Sequence, residues 1–344
     1  VCARTQTELI GKQTNLDDAG FPGIFNLSGL ERETEMIQIQ VDSIKSKYQD
    51  FLVSLHLGQL LPPDSPNAYT IYEELVSMPA IMELRNGFRR RLIVSLIDES
   101  QQAINAYLNL DPNEWMQRIS MREKYLRYPK YIEKANQLLG ENNFMSANLQ
   151  SKQYYFEGLN KRFEAMSLND SSMMRQALDL QRKALHFESE SAFIHNEMGT
   201  IYGNLGKRSD AIRHYELAIN ISPTWSIPYI NLALQMKDSP QKALGYLRKA
   251  IQLNPSSAFA YNNMGIVYME EEHFSDAEEA LIKAITLEPR YAEAYYNLAC
   301  VRSIQNETES AMGLLERAFY LGLNTIQHVQ EDPDLLNLRN APGY

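Results

Sequence analysis

A chain of 344 residues with 33 Lys+Arg against 43 Asp+Glu carries a formal net charge of −10, which excludes a general nucleic-acid role, since phosphate backbones are held by basic faces. It is 44% hydrophobic with sixteen glycines, so it has apolar matter for a large core and few helix breakers. No apolar run approaches the roughly 20 residues that span a bilayer. The two cysteines, Cys2 and Cys300, form no metal spacing and are expected to be reduced thiols of a cytoplasmic protein. No signal peptide is legible, and the first residue is Val1 rather than Met, so the chain is compatible with a piece of a longer protein.

Residues 1–28 are expected to be irregular: TQTELIG suits a short strand, and DDAGFPG is turn chemistry. Residues 29–143 read as a helical N-terminal domain. Ile37, Val41, Ile44, Tyr48, Phe51 and Leu55 keep helical spacing until LPPDSPN breaks it. A second helical block over 68–108 is expected to be interrupted near Pro79 and Asn86. It carries Arg89, Arg90 and Arg91, which spread around a helix and read as solvated charge rather than one anion patch. Asp111, Pro112 and Glu114 start a further helix bearing Trp115. Pro129 is expected to end that segment, and YIEKANQLLG to be the next helix.

Residues 144–191 read as a degenerate helix pair ahead of a regular array over 192–322. The array shows in its alanines. Ala177, Ala211, Ala243, Ala277 and Ala311 follow at steps of 34, 32, 34 and 34, and Ala184, Ala218, Ala250, Ala284 and Ala318 repeat those steps. Such a period means stacked helix pairs, because neither helix of a pair can bury its apolar face alone. Four units are expected: 192–225, 226–257, 258–291 and 292–322. Pro223, Pro255 and Pro289 close three of them. The second unit is two residues short. The loss is expected between its helices, as a tighter turn at KDSP with Ser239 as N-cap and Pro240 as first helical residue, and no break in the stack. Residues 323–344 are expected to cap the last apolar face, with Asp332 and Pro333 starting a helix that carries Leu335, Leu336 and Leu338.

The first unit carries Gly199, Tyr202, Gly206, Ala211, Tyr215, Ala218 and Pro223 where the tetratricopeptide (TPR) consensus has Gly, Tyr, Gly, Ala, aromatic, Ala and Pro. Tyr261, Gly265, Tyr268, Ala277, Ala284 and Pro289 repeat that pattern in the third unit. The stretch 192–322 therefore resembles a TPR array. The resemblance implies an all-α fold, a right-handed TPR solenoid preceded by the helical N-terminal domain. It further implies a non-catalytic scaffold or adaptor that binds a peptide in the concave groove.

Asn231, Asn263 and Asn297 occupy one place in three successive first helices. The row resembles the asparagine ladder of the O-GlcNAc transferase superhelix, where amides bond the backbone of extended peptides. An amide both donates and accepts, so it can pair with a peptide unit of any sequence. The competing reading is an Asn that bonds the neighbouring repeat. The expected groove is Asn196, Thr200, Asn231, Leu234, Phe259, Asn262, Asn263, Ile266, Tyr296 and Asn297. No Lys and Arg clamp for a terminal carboxylate is evident, and no cofactor or metal is expected. GNLGKRS lacks the full phosphate-loop pattern. Cys300 and His195 lie three repeats apart, beyond the reach of a nucleophile and its base. The other histidines show no ligand spacing.

Two rival readings stay open. AINAYLNLDPNEW followed by YYFEGL resembles the helical segments that follow caspase-like protease domains in some bacterial proteins. That resemblance implies a regulatory or substrate-recruiting tail of a larger enzyme. The aromatic-rich N-terminal block could instead serve self-assembly.

Overall fold

The structure, a computed structural model, describes residues 42–109, 123–140, 143–323 and 326–341. All regular structure among these residues is helical. Asp111, Pro112, Glu114 and Trp115, and with them the DPNEW phrase, lie outside the described residues, as does everything before Asp42. The chain divides into two units, Val1–Ile201 and Tyr202–Tyr344.

The first unit contains α1 (Asp42–His56), α2 (Ala68–Ser77), a 3-10 segment (Pro79–Leu84), α3 (Arg85–Leu108), α4 (Glu123–Leu139), α5 (Ser146–Leu168), α6 (Ser171–Phe187) and most of α7 (Ala192–Asn204). Two starts are capped by short polar side chains. Asn67 Oδ1 accepts the Thr70 N–H at 3.0 Å, and Asp170 Oδ1 accepts those of Ser172 and Met173 at 2.7 and 3.1 Å. The interruption expected near Pro79 is the 3-10 segment. The one expected near Asn86 is absent, since α3 begins at Arg85 and runs through it.

Aromatic rings fill much of this unit. Phe51 meets Phe88 edge-on, and Tyr125 and Tyr128 of α4 pack on Phe156 of α5. Pro129 does not end its segment. It lies inside α4, between the buried Tyr128 and Tyr131. Proline removes one helical N–H and so leaves the carbonyl four residues back without its bond. That carbonyl belongs to Tyr125, and Asn160 Nδ2 of α5 donates to it at 2.8 Å. A side chain from the neighbouring helix thus replaces the lost ladder bond.

The α5–α6 pair approaches closely at Gly158. A Cβ there would stand 3.2 Å from the Ala177 carbonyl oxygen and 2.4 Å from Gln181 Nε2. The second unit has the same contact at Gly265, where a Cβ would stand 3.3 Å from the Ala277 carbonyl oxygen and 2.6 Å from Leu281 Cγ. In each pair the residue struck hardest lies one turn beyond an alanine of the 34-residue series. At Gly265 the side chain met is Leu281 near its root, which cannot swing aside, whereas at Gly158 it is the far end of Gln181, and the Ala177 carbonyl sets the limit.

The second unit continues with α8 (Arg208–Ile221), α9 (Ser226–Ala233), α10 (Pro240–Leu253), α11 (Ala258–Glu270), α12 (Phe274–Leu287), α13 (Ala292–Ile304) and α14 (Thr308–Tyr320). It ends with α15 (Ile326–Glu331), a 3-10 turn (Pro333–Leu335) and α16 (Leu336–Arg339). The periodic alanines of α8, α10, α12 and α14 are all buried. Their small size sets how near the helices pack, which is why the period is so clear in the sequence.

The first helices end in two ways. In the 34-residue repeats a left-handed residue follows the helix: Gly206 (φ 72°), Glu272 (φ 60°) and Asn306 (φ 63°). The next N–H then bonds back to the carbonyl five residues earlier, Lys207 to Tyr202, His273 to Tyr268 and Glu307 to Arg302, at 2.9, 2.9 and 2.8 Å. This is the Schellman closure. The short repeat has none. Its first helix α9 spans 8 residues, where α11 and α13 span 13. The chain leaves α9 through Gln235 N–H to the Leu232 carbonyl and Met236 N–H to the Ala233 carbonyl, then crosses 234–239 to Pro240.

The tighter turn expected there is therefore corrected. The turn is longer and the helix before it shorter, and the net change is two residues. Pro240 does stand at the start of α10, but the Ser239 side chain makes no cap bond. Arg208 holds the irregular turn instead, its Nε donating to the Gln235 carbonyl at 2.5 Å and its Nη1 pairing with Asp238. The stack is unbroken: one apolar cluster runs from Ile230 and Ala233 through Leu244 and Leu247 to Met264 and Val267.

The C-terminal segment caps the array. Asp332 Oδ1 accepts the Asp334 N–H at 2.9 Å and starts the 3-10 turn. Leu335 and Leu338 are fully buried against Leu315, Ala299 and Ala311, whereas Leu336 points outward.

Candidate functional site

The asparagine row lies on the first helices of the repeats, and each member meets a different fate. Asn196 and Thr200 fall in the first unit. Asn196 is 1% exposed, and its Nδ2 donates to the Tyr107 Oη of α3 at 3.0 Å. Thr200 Oγ1 donates to the Asn196 carbonyl at 3.1 Å. Beside them Glu197 is buried against Arg162. This turn of α7 is engaged by its own unit.

The remaining members fall in the second unit. Asn297 Nδ2 donates to Asn262 Oδ1 at 2.9 Å, a bond from one repeat to the repeat before it. Tyr296 is buried, and its hydroxyl donates to the Asp332 carboxylate of the cap. Cys300 Sγ lies 3.9 Å from the same oxygen. Burial first, and then the Asp332 and Asp334 carboxylates, push the Cys300 thiol far up, so it stays protonated and non-nucleophilic at neutral pH. Burial and the bond to Asp332 push the Tyr296 phenol up as well.

Asn231, Leu234, Phe259, Asn263 and Ile266 surround the short repeat. Asn231 is half-buried on α9, and Phe259 packs on the apolar cluster that joins α9, α10 and α11. Asn263 is 4% exposed. Its Nδ2 donates to the Phe259 carbonyl at 2.7 Å. Leu234 follows the last residue of α9 and is 40% exposed.

Leu234, Asn263 and Ile266 line one open cavity with Ala233, Met236, Lys237, Pro240, Ala243, Leu247, Val267 and Glu270. It encloses about 440 Å³ of empty space, mouth included. Much of that space is open solvent at the mouth, and the closed part is far smaller, room for a side chain rather than a cofactor. The cavity exists because α9 stops early. At 1.5 Å per residue, the 13 − 8 = 5 residues missing from α9 leave ~7.5 Å of α11 without a facing helix. The sequence reading missed Met236, Lys237, Val267 and Glu270. The signal for them was the 32-residue step, read as a change in the turn rather than in the helix.

Among the described residues no three His, Cys, Asp or Glu side chains gather as a metal site, and no helix is long and apolar enough to cross a membrane.

The fold and this face define a helical repeat protein built of stacked antiparallel pairs. Residues 194–224 and 260–291 match the family model for the tetratricopeptide repeat, so these two stretches are tetratricopeptide repeats. Among solved structures it is similar to the APC/C hetero-tetramer Cut9–Hcn1, at 17% identity and a TM-score of 0.50 over 81% of this chain and 55% of that one. TTC0263, a thermophilic TPR protein of Thermus thermophilus, aligns at 20% identity and a TM-score of 0.46 over 54% of this chain and 99% of that one. YrrB, a TPR protein with an unusual peptide-binding site, aligns at 20% identity and a TM-score of 0.38 over 57% of this chain and 96% of that one. A comparison with curated proteins gives no match.

Proposed function

We propose that this chain is a non-catalytic interaction scaffold or adaptor that holds a segment of another protein along the face bearing Asn231 and Asn263. The observation that carries this reading is the open cavity beside Asn263, on a face whose equivalent positions in the last repeat are taken up by the cap. The energetics suit a modest, tunable affinity. Each amide-to-backbone bond contributes about 0.5–1.5 kcal/mol net, and burying one apolar side chain about 1.5–3 kcal/mol. A receptor already ordered by its stack loses little freedom on binding.

The test is capture of partners from native lysate by the intact chain and by an Asn231→Ala, Asn263→Ala variant shown to be folded by circular dichroism. Asn297→Ala serves as control, because that side chain bonds Asn262 and does not line the cavity. A partner lost with the double variant and kept by the control supports binding on this face. A partner held equally by all three contradicts it.

A further inference from the structure

We infer that Arg85 and Arg89 of α3, with the Tyr72 hydroxyl of α2, form an anion site in the first unit that takes a phosphate group. The placement follows from helix geometry. Arg85 is the first residue of α3 and Arg89 stands one turn further on. Leu92 follows Arg85, and Leu96 follows Arg89, at a spacing of two turns, so all four share one stripe of the helix. Leu92 and Leu96 are fully buried. Arg85 and Arg89 therefore continue the packed side of α3 out to its first turn, where a core would put apolar residues. Arg90 and Arg91 of the same basic run turn off that stripe.

The cluster is rich in uncommitted donors. Among the described residues neither Arg85 nor Arg89 has an ion pair or hydrogen bond, and the Tyr72 hydroxyl makes no bond either. Arg85 Nε is buried and without a partner, a state that a folded chain seldom leaves unanswered. Burial pushes the Tyr72 phenol up against the nearby Arg89 and Arg85 charges, so it keeps its proton and can donate at neutral pH. Tyr69 stacks on Tyr72 with ring centroids 6.4 Å apart, and Lys134 Nζ of α4 stands 4.3 Å over the Tyr69 ring. Of the neighbouring acids, Glu74 pairs with Lys47, and Glu73 accepts the Tyr69 hydroxyl at 2.5 Å. Three cations thus stand against one carboxylate that has no ion pair, Glu73. Phosphate suits this set better than carboxylate. Two guanidinium forks and a hydroxyl offer more donors than two carboxylate oxygens take up, whereas a phosphate has more oxygens and more charge.

The test is side-chain NMR of the whole chain labelled with ¹⁵N at arginine, titrated with inorganic phosphate at constant ionic strength. A second arm measures, by fluorescence polarisation, a degenerate 12-residue peptide carrying one phosphoserine and its unphosphorylated twin. The Arg85 and Arg89 Nε–H signals are expected to shift saturably with phosphate and to ignore chloride. Arg85→Gln and Arg89→Gln, each shown folded by circular dichroism, should weaken phosphate binding about tenfold, and Tyr72→Phe about threefold. Arg90→Gln should leave it unchanged. Phosphopeptide binding at least tenfold tighter than inorganic phosphate would assign the group to a phosphorylated segment of a partner, and equal affinities would assign free phosphate. Signals that stay fixed with both probes, or that chloride shifts equally, would overturn the site. So would affinities that Arg85→Gln and Arg89→Gln leave unchanged.

Discussion

In the repeat that begins at Ser226 the first helix stops at Ala233, while in the repeat that begins at Ala292 it runs to Ile304 and is then covered by the cap. Equivalent positions take opposite roles as a result. Asn297 and Tyr296 spend their polar groups on Asn262 and Asp332, inside the molecule. Leu234 and Asn263 face an opening. Consensus position alone therefore does not decide whether a side chain faces an opening or an internal partner. What matters is whether the space beside it is filled by the next element of the chain.

The largest effect should come from dismantling the filled end. Leu338→Ala removes a fully buried side chain from the cap and should cost about 2–5 kcal/mol. Urea denaturation gives the loss. Hydrogen exchange should rise in 292–304 and stay unchanged in 226–253, or the two regions are not independent. Next are two glycines that differ only in what faces them. Gly265→Ala should destabilise by about 1–3 kcal/mol, since its Cβ meets Leu281 Cγ. Gly245→Ala in α10, with nothing within 4 Å, should stabilise by about 0.5–1 kcal/mol. Thermal melts of the pair check both signs.

Tyr296→Phe should cost about 1–3 kcal/mol, because the Asp332 carboxylate loses its donor. It should also alter the alkaline limb. The folded phenol titrates above its unfolded counterpart, so from about pH 10 upward the unfolded chain releases a proton that the folded chain keeps. Stability then falls as pH rises, and the Phe variant should show a shallower fall in denaturation series across that range. Smallest is Leu234→Ala, at a half-exposed rim position. It should change stability by less than about 0.5 kcal/mol while weakening peptide binding, which separates the open site from the filled one.

The array was legible because its alanines are buried at helix–helix contacts where nothing larger fits, and a fixed contact leaves a fixed period. The cap was legible from Asp332 and Pro333, which obey local end rules. Its purchase on Tyr296 was not, since those residues stand 36 apart and no local rule joins them. Pro129 was misread for the same reason: a proline stops a helix unless something replaces the missing bond, and Asn160 lies 35 residues beyond the carbonyl it serves. The short repeat yielded its deficit but not its location. A net loss of two residues is silent on whether the turn or the helix gave way, and the absence of a left-handed residue after α9 was the overlooked clue. Of the candidate site, Leu234, Asn263 and Ile266 come together as lining, whereas Asn196, Tyr296 and Asn297 are drawn into internal bonds.

The central claim is that ligand occupies the opening beside α9 and not the capped end. Methyl spectra of the chain labelled with ¹³C at Met and Ile test it most directly, with a peptide selected on phage against the whole chain added in steps. Met236 and Ile266 line the cavity, and Met312 packs at the capped end. The expected result is that the Met236 and Ile266 signals move with the peptide while Met312 stays fixed. Movement of Met312 alone, or saturable binding that shifts neither Met236 nor Ile266, would contradict the account.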